Sequence, residues 1–283
     1  MQLKRNQIKT LAYSDLFNYP LSGKELKLWE ISVGQKESGE SKIKTGHRDG
    51  FYFLPGRAGL VNLRREREKY TAEKRVKGQD VARVLQRIPF VRAIFLTGSV
   101  AAGSAEENAD IDLMIVVQPG ALWLTRLSVV TYLKIKGIYS GRTGHNRNKI
   151  CPNIFLDLNH LPIAERNLFT AHEVLQAQCL FDRGGIEKLW FKKNPWTREF
   201  LPNIFQLKVK GLKQIAKTRN AGRGDFLWYL ILPLELLAFS LQLVYMKPKM
   251  TNENVGLGFA FFHPRNISAI ILQQWQKRLE LLK

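Results

Sequence analysis

The chain has 283 residues, 45% of them apolar and 24% charged, with 44 Lys and Arg against 24 Asp and Glu for a formal net charge of +20. That composition excludes wholesale disorder, collagen and small disulfide scaffolds. The length suffices for one large domain or two to three smaller ones. Two cysteines, Cys151 and Cys179, lie far apart with no C-x-x-C pair, which suits a reducing, cytoplasmic compartment and argues against a structural zinc site. The opening MQLKRNQIKT is basic but is followed by no apolar core or small-residue cleavage site, so a secretory signal is not expected.

The charge is uneven. Residues 1–90 carry 19 basic and 10 acidic side chains, residues 91–200 carry 13 and 10, and residues 201–283 carry 12 and 4. Two basic flanks around a nearly balanced middle favour an anionic partner: nucleic acid, a triphosphate or a membrane surface.

In chain order, Leu11 to Tyr19 reads as a helix stopped by Pro20. Ser22-Gly23-Lys24-Glu25 is a capping box with Leu21 and Leu26 as its staple, and the helix it opens runs through Leu28, Trp29 and Ile31. A polar stretch, 34–41, reads as a loop. Lys42 to Thr45 and Phe51 to Leu54 form a predicted hairpin around Gly46 to Gly50. Helices followed by a two-stranded wing resemble a winged helix-turn-helix, with the recognition-helix stretch replaced by a loop. Residues 60–87 read as one long charged helix whose Arg64, Arg65, Arg67 and Lys69 alternate with Glu66 and Glu68, the pattern of a solvated face with local ion pairs.

Val91 to Leu96 and Ile111 to Val117 are apolar runs of strand length, and an apolar helix from Leu122 to about Ile138 precedes a third strand, Asn153 to Leu158. Strand, helix and strand in alternation predict a mixed α/β core. Beyond 165 the chain reads as mostly helical. Thr170 to Glu173 is a second capping box with Phe169 and Val174 as its staple, Leu207 to Lys217 is basic and amphipathic, and a last helix covers Ile267 to Leu282. Phe226 to Tyr245 is long enough to span a bilayer, but Glu235 sits at its centre beside Pro233. A central carboxylate is costly in lipid, so a buried helix is expected, with Glu235 paired to a basic residue. A membrane partner is not expected; peripheral attachment through 226–245 and the basic C-terminal third is the third and lowest reading.

The chemistry-bearing constellation is Thr97-Gly98-Ser99, ten residues, then Asp110-Ile111-Asp112. Two aspartates at i and i+2 of a strand point to one face, so their carboxylates converge on one metal or on two. Hard oxygen ligands suit Mg²⁺ and leave room for phosphate oxygens. Gly98 lets backbone approach a ligand, Ser99 opens a short helix where free N–H groups and the hydroxyl favour phosphate, and Gly103 allows a tight exit. Asp157 interrupts the apolar run Ile154 to Leu158, where a lone carboxylate is costly; the cost falls if it faces the same metals, as the ligand near the attacking hydroxyl, and the alternative is a strand-end Asp facing solvent or pairing with Arg.

Gly98-Ser99, the ten-residue spacer and Asp110-x-Asp112, each element following or preceding an apolar strand, resemble the DNA polymerase β-like nucleotidyltransferase superfamily. The match covers about residues 91–118, with looser support to 160. The resemblance implies an α+β fold: a small mixed sheet flanked by helices, with the winged-helix-like module in front and a helical region behind. It also implies Mg²⁺-dependent transfer of a nucleoside monophosphate from an NTP, with Asp110, Asp112 and Asp157 on two Mg²⁺ ions and Gly98 and Ser99 on the triphosphate. Ala102 and Ala109 stand where many members have Arg and Ser, and Arg142, Arg147 or Lys149 are the candidates to replace the missing positive charge.

The expected organisation is a winged-helix-like module at 1–58, a connecting helix at 59–90, the nucleotidyltransferase core at 91–165 and a helical region at 166–283. The expected function is NMP transfer from an NTP to a hydroxyl on RNA, protein or a small molecule. The alternative is a nucleotide-sensing protein that binds nucleic acid through its basic flanks without turnover. No P-loop or H-E-x-x-H motif occurs, and the five histidines lack ligand spacing.

Overall fold

The computed structural model describes residues 3–33, 41, 43–141, 146–211, 225–250, 253–262 and 267–282. The N-terminal part holds α1 (Arg5–Asp15), β1 (Leu21–Ser22), α2 (Gly23–Leu28), β2 (Gly46–Arg48) and β3 (Phe51–Phe53). The three strands form an antiparallel sheet in the order β1-β3-β2. The Ser22 hydroxyl accepts from the Glu25 amide and the Glu25 carboxylate accepts from the Ser22 amide, so the expected capping box starts α2. The hairpin is tighter than expected, turning at Asp49-Gly50 with Gly46 to Arg48 as its first strand. Residues 34–40, where a recognition helix would fall, and Lys42 lie outside the described residues, so the winged-helix resemblance rests on two helices and this sheet.

A single long helix follows, α3 (Leu60–Leu85). It is not the solvated rod that its charge pattern suggests. Arg64, Arg67 and Lys74 are buried. The Arg64 guanidinium donates to Glu25 at 2.9 Å and Glu68 at 2.8 Å and lies 3.8 Å from the centre of the Tyr19 ring. Arg67 pairs with Glu106, and the Lys74 ammonium donates to the Glu107 carbonyl and the Asn148 side chain. Cations buried in this way need partners, and here the partners tie the N-terminal part to the central domain.

The central sheet is built from β4 (Val91–Leu96), the short helix α4 (Gly98–Ala102), β5 (Ile111–Val117), α5 (Leu122–Ile135) and β6 (Ile150–Asp157). Next come α6 (Leu168–Gln176), β7 (Gln178–Asp182), α7 (Ile186–Lys193), α8 (Thr197–Phe200) and α9 (Pro202–Lys210). The chain closes with α10 (Asp225–Met246), β8 (Asn254–Val255), β9 (Phe259–Phe261) and α11 (Ile267–Glu280). The six strands lie in the order β7-β4-β5-β6-β9-β8; β5 and β6 are parallel and the other neighbours antiparallel. The sheet thus takes strands from both sides of residue 165, three of them short strands in the stretch expected to be helical.

Both faces of β5 are covered, which is why it reads as a continuous apolar run. Ile111, Leu113, Ile115 and Val117 join one core with α3, α5 and α10, while Met114 and Val116 join the other with α1, α6, α7, α9 and α11. The result is a mixed α+β sheet between two helical layers.

Two expected details change. The N-cap of α6 is Asn167, whose side chain accepts from the Thr170 amide, three residues before the expected Thr170 cap. Glu235 is buried as expected, but among the described residues it takes no basic partner: its carboxylate accepts from the backbone N–H groups of Trp123 (2.7 Å) and Leu124 (2.9 Å). It therefore caps the N-terminus of α5, where unpaired amides and the helix dipole favour negative charge. Among the described residues no helix is long and apolar enough to cross a membrane.

Candidate active site

The site forms where β4 ends and β5 begins. The Thr97 amide donates to the Asp112 carbonyl at 3.0 Å, which pins the turn after β4 against β5. Gly98 follows with φ +61°, and a Cβ there would collide with the Asp112 carboxylate. Only glycine fits both the backbone angle and the space. Ser99 lies in the first turn of α4, and Gly103 ends that helix in the left-handed region. Thr97, Gly98 and Ser99 form one wall of a cavity of about 1380 Å³.

Asp110 and Asp112 converge as their spacing predicts. Oxygen atoms of both carboxylates and the Cys151 sulfur all lie within 4.8 Å of one another. Cys151 joins them because it is the residue opposite Asp112 on the parallel neighbour β6. The Ser140 hydroxyl donates to Asp110 Oδ2 at 2.8 Å, and Asn153 Nδ2 donates to Asp112 Oδ1 at 2.6 Å. Burial, then the neighbouring Asp110 and Glu173 carboxylates, push the Asp112 acid up to about 8, against the opposing pull of its hydrogen bond with Cys151. Burial and the two aspartates push the Cys151 thiol upward as well.

Asp157 does not belong to this group, a correction to the sequence expectation. It pairs in register with Val117, five residues along β5 from Asp112, which is roughly 16 Å at strand rise. It also faces the other way. The register shifts between Leu113 and Met114, leaving Asn153 unopposed, and one extra residue reverses the faces of everything after it. Phe155 accordingly joins the core on the α10 side. Asp157 instead organises the turn after β6, accepting from the amides of Asn159 and His160 and lying 2.7 Å from His160 Nδ1.

Another acid lies near the site. Glu173 on α6 lines the same cavity as Gly98 and Ser99 and acts electrostatically on Asp112. Burial pushes its carboxyl up to about 7. Its neighbour His172 is buried, stacked between Tyr13 (ring centres 4.3 Å apart) and Trp29 (5.2 Å), and among the described residues neither ring nitrogen has a hydrogen-bond partner. Burial lowers the His172 imidazole to about 3, so it is neutral. Ser140, Cys151 and Glu173 reach the site through tertiary structure: Ser140 and Cys151 lie in no motif, and Glu173 reads in the sequence only as the far end of the expected Thr170 capping box. Of the expected basic substitutes, Arg142 lies outside the described residues and Arg147 is paired with Glu107 at 2.8 Å. Arg75 lines the cavity wall beside α4, and its guanidinium reaches the Ala101 carbonyl at 3.4 Å.

The donor set fits a hard divalent cation such as Mg²⁺. Two carboxylates are held together, and the groups that set the titration of Asp112 include no cation to offset them. Oxygen donors of this kind suit Mg²⁺, and the Cys151 sulfur lies beside them.

Residues 81–140 match the family model of the nucleotidyltransferase domain, a span that contains the Gly98-Ser99 turn and the Asp110-x-Asp112 pair. The chain carries a nucleotidyltransferase domain. A solved chain described as "Crystal structure of the toxin-antitoxin with AMP-PNP" is similar over 40% of this chain and 79% of its own, at 18% identity and a TM-score of 0.27. No curated protein matches the chain.

Proposed function

We propose that the protein is a Mg²⁺-dependent nucleotidyltransferase that moves an NMP from an NTP to a hydroxyl acceptor. The observation that carries this is the packing of the Gly98 turn directly against the Asp112 carboxylate, with Asp110 beside it. A phosphate held at that turn would meet both carboxylates. Asp110 and Asp112 would hold the cation, Asp110 oriented by Ser140 and Asp112 by Asn153. When bound, Mg²⁺ supplies charge neutralisation and Lewis acidity at the phosphates.

The bond that forms joins the acceptor oxygen to the α-phosphorus, and the bond that breaks releases pyrophosphate. The side chain suited to receive the acceptor proton is Glu173, whose carboxyl, pushed up to about 7, lines the cavity on the Asp112 side of the sheet. It would serve in place of a third strand carboxylate, because β6 offers Cys151 and Asn153 at the level of Asp112. The acceptor enters the cavity between α6 and the N-terminal helices, whose walls include Tyr13, Trp29 and Phe259.

Asp110→Asn and Asp112→Asn are expected to remove turnover with the fold intact, and turnover in the purified double variant overturns the mechanism. Glu173→Gln should lower kcat and change its pH profile with little change in NTP affinity; an unchanged profile removes Glu173 from the scheme.

A nucleotide-sensing, nucleic-acid-binding protein without turnover is the alternative. It is favoured by the same absence of a carboxylate on β6 beside Asp112, together with the basic flanks. It predicts RNA or DNA binding that weakens steeply with salt and NTP binding with no pyrophosphate released.

A further inference from the structure

We infer that the outer face of α10 docks on an anionic lipid bilayer, so that the protein lies on the membrane surface without crossing it. This rests on a surface remote in sequence from the Asp110–Asp112 pair and is independent of the catalytic proposal.

Among its described side chains, α10 meets the rest of the protein along one side. Glu235, Ala238, Gln242 and Met246 are buried there, and Gln242 donates to the Trp123 carbonyl. The other side is apolar and open to solvent. Leu234, Leu237, Leu241, Val244 and Tyr245 each leave more than half of their surface exposed. They recur at three- and four-residue intervals with Tyr245 closing the row, which places them in one stripe along the helix. Ile135 of the neighbouring α5 is 78% exposed. Single exposed leucines need no explanation, but a contiguous stripe of this kind marks an interaction surface.

The charge around the stripe selects the occupant. Across residues 121–141 and 225–250 the acidic side chains are Asp225, at the first position of α10, and Glu235, which is buried as the cap of α5. Lys134, Lys136 and Lys247 are all exposed. The Lys134 ammonium stands 5.6 Å from the Tyr139 ring centre and 5.8 Å from that of Tyr245, so a cation and two amphipathic rings edge the apolar stripe. Leucines flanked by tyrosine and lysine match the layering of acyl chain, interface and anionic headgroup. A second copy fits poorly, because it would oppose two lysine rims on chains of net charge +20. Spanning is excluded for the described helices by their length and polarity.

The test is co-sedimentation of the full-length protein with phosphatidylcholine vesicles, with and without phosphatidylserine. Binding should be about tenfold or more stronger with phosphatidylserine and should weaken as salt rises. The Leu237→Glu/Leu241→Glu variant should lose it by a similar factor, with an unchanged circular dichroism spectrum. Should that variant not fold, Leu241→Trp in otherwise native protein decides: the fluorescence it adds should shift to the blue on phosphatidylserine vesicles and be quenched by brominated acyl chains. The inference is overturned by absence of binding to phosphatidylserine vesicles, by equal binding of protein and double variant, or by an added tryptophan signal that brominated chains leave unquenched. It is equally overturned if the protein dimerises with concentration and the double variant does not, since the stripe is then an interface between copies.

Discussion

The Asp112 carboxylate occupies the space into which any side chain on residue 98 would project. Gly98 opens α4 just past the end of β4, and Asp112 lies near the start of the antiparallel neighbour β5; the Thr97 amide, bonded to the Asp112 carbonyl, joins the two. One hydrogen bond and one missing Cβ therefore set the distance between the proposed phosphate turn and the proposed metal carboxylate.

Gly98→Ala is expected to cost about 1–3 kcal/mol from the positive φ alone, with further loss as Asp112 is displaced. Turnover should fall at least tenfold. Chemical denaturation and an NTP assay on the same preparation check both parts.

Asp112→Asn replaces a buried acid, which burial and Asp110 keep from ionising easily, by a neutral group of the same shape. Without metal, the variant should be as stable as the parent or more stable by about 1 kcal/mol. The rise in Tm that Mg²⁺ gives the parent should disappear, as should turnover. Thermal melts with and without Mg²⁺ separate the two effects.

Glu235→Ala leaves the Trp123 and Leu124 amides unpaired at a buried helix start. The expected cost is about 2–3 kcal/mol. Glu235→Gln retains one accepting oxygen and should cost less. Denaturant titration orders the three proteins.

His172 and Glu173 act oppositely on acid stability. The His172 imidazole is lowered to about 3 in the folded protein from the ordinary 6.5, so between those values only the unfolded chain is protonated and stability falls as pH falls. Glu173 is raised to about 7 from 4.5, so its stabilising effect is present below 4.5 and is lost as pH rises through 7. Between 4.5 and 6.5 the two slopes offset, each about 1.4 kcal/mol per pH unit at full effect. His172→Phe should therefore make stability fall as pH rises through that window relative to the parent, and Glu173→Gln should make it rise. Denaturation midpoints across pH 4–8 provide the check.

Local signals carried much of this architecture. The two apolar strands, the glycine turn between β4 and α4, and the start of α2 are all set by neighbours within a few residues, and the structure has them where the chain pattern puts them. What escaped depends on distant partners. Arg64 and Lys74 look solvated until Glu25, Asn148 and the Glu107 carbonyl arrive. Asn167 and Thr170 both have capping chemistry, and the amide accepted by Asn167 decides between them. The unopposed Asn153 is a one-residue change of register that no periodicity displays, and it turns Asp157 away from the carboxylate pair. Cys151 lies in no motif and Glu173 reads only as part of a helix cap, and both reach the site by strand pairing and helix packing.

The most direct test is incubation of the pure protein with each α-³²P-labelled NTP and Mg²⁺, alone and with total cellular RNA, protein or small-molecule extract, beside the Asp110→Asn/Asp112→Asn variant. Label should pass to one acceptor class with release of pyrophosphate, and only with the parent protein. Absence of transfer to every class while Mg²⁺–NTP is bound, or equal transfer by the double variant, would contradict catalysis at Asp110 and Asp112.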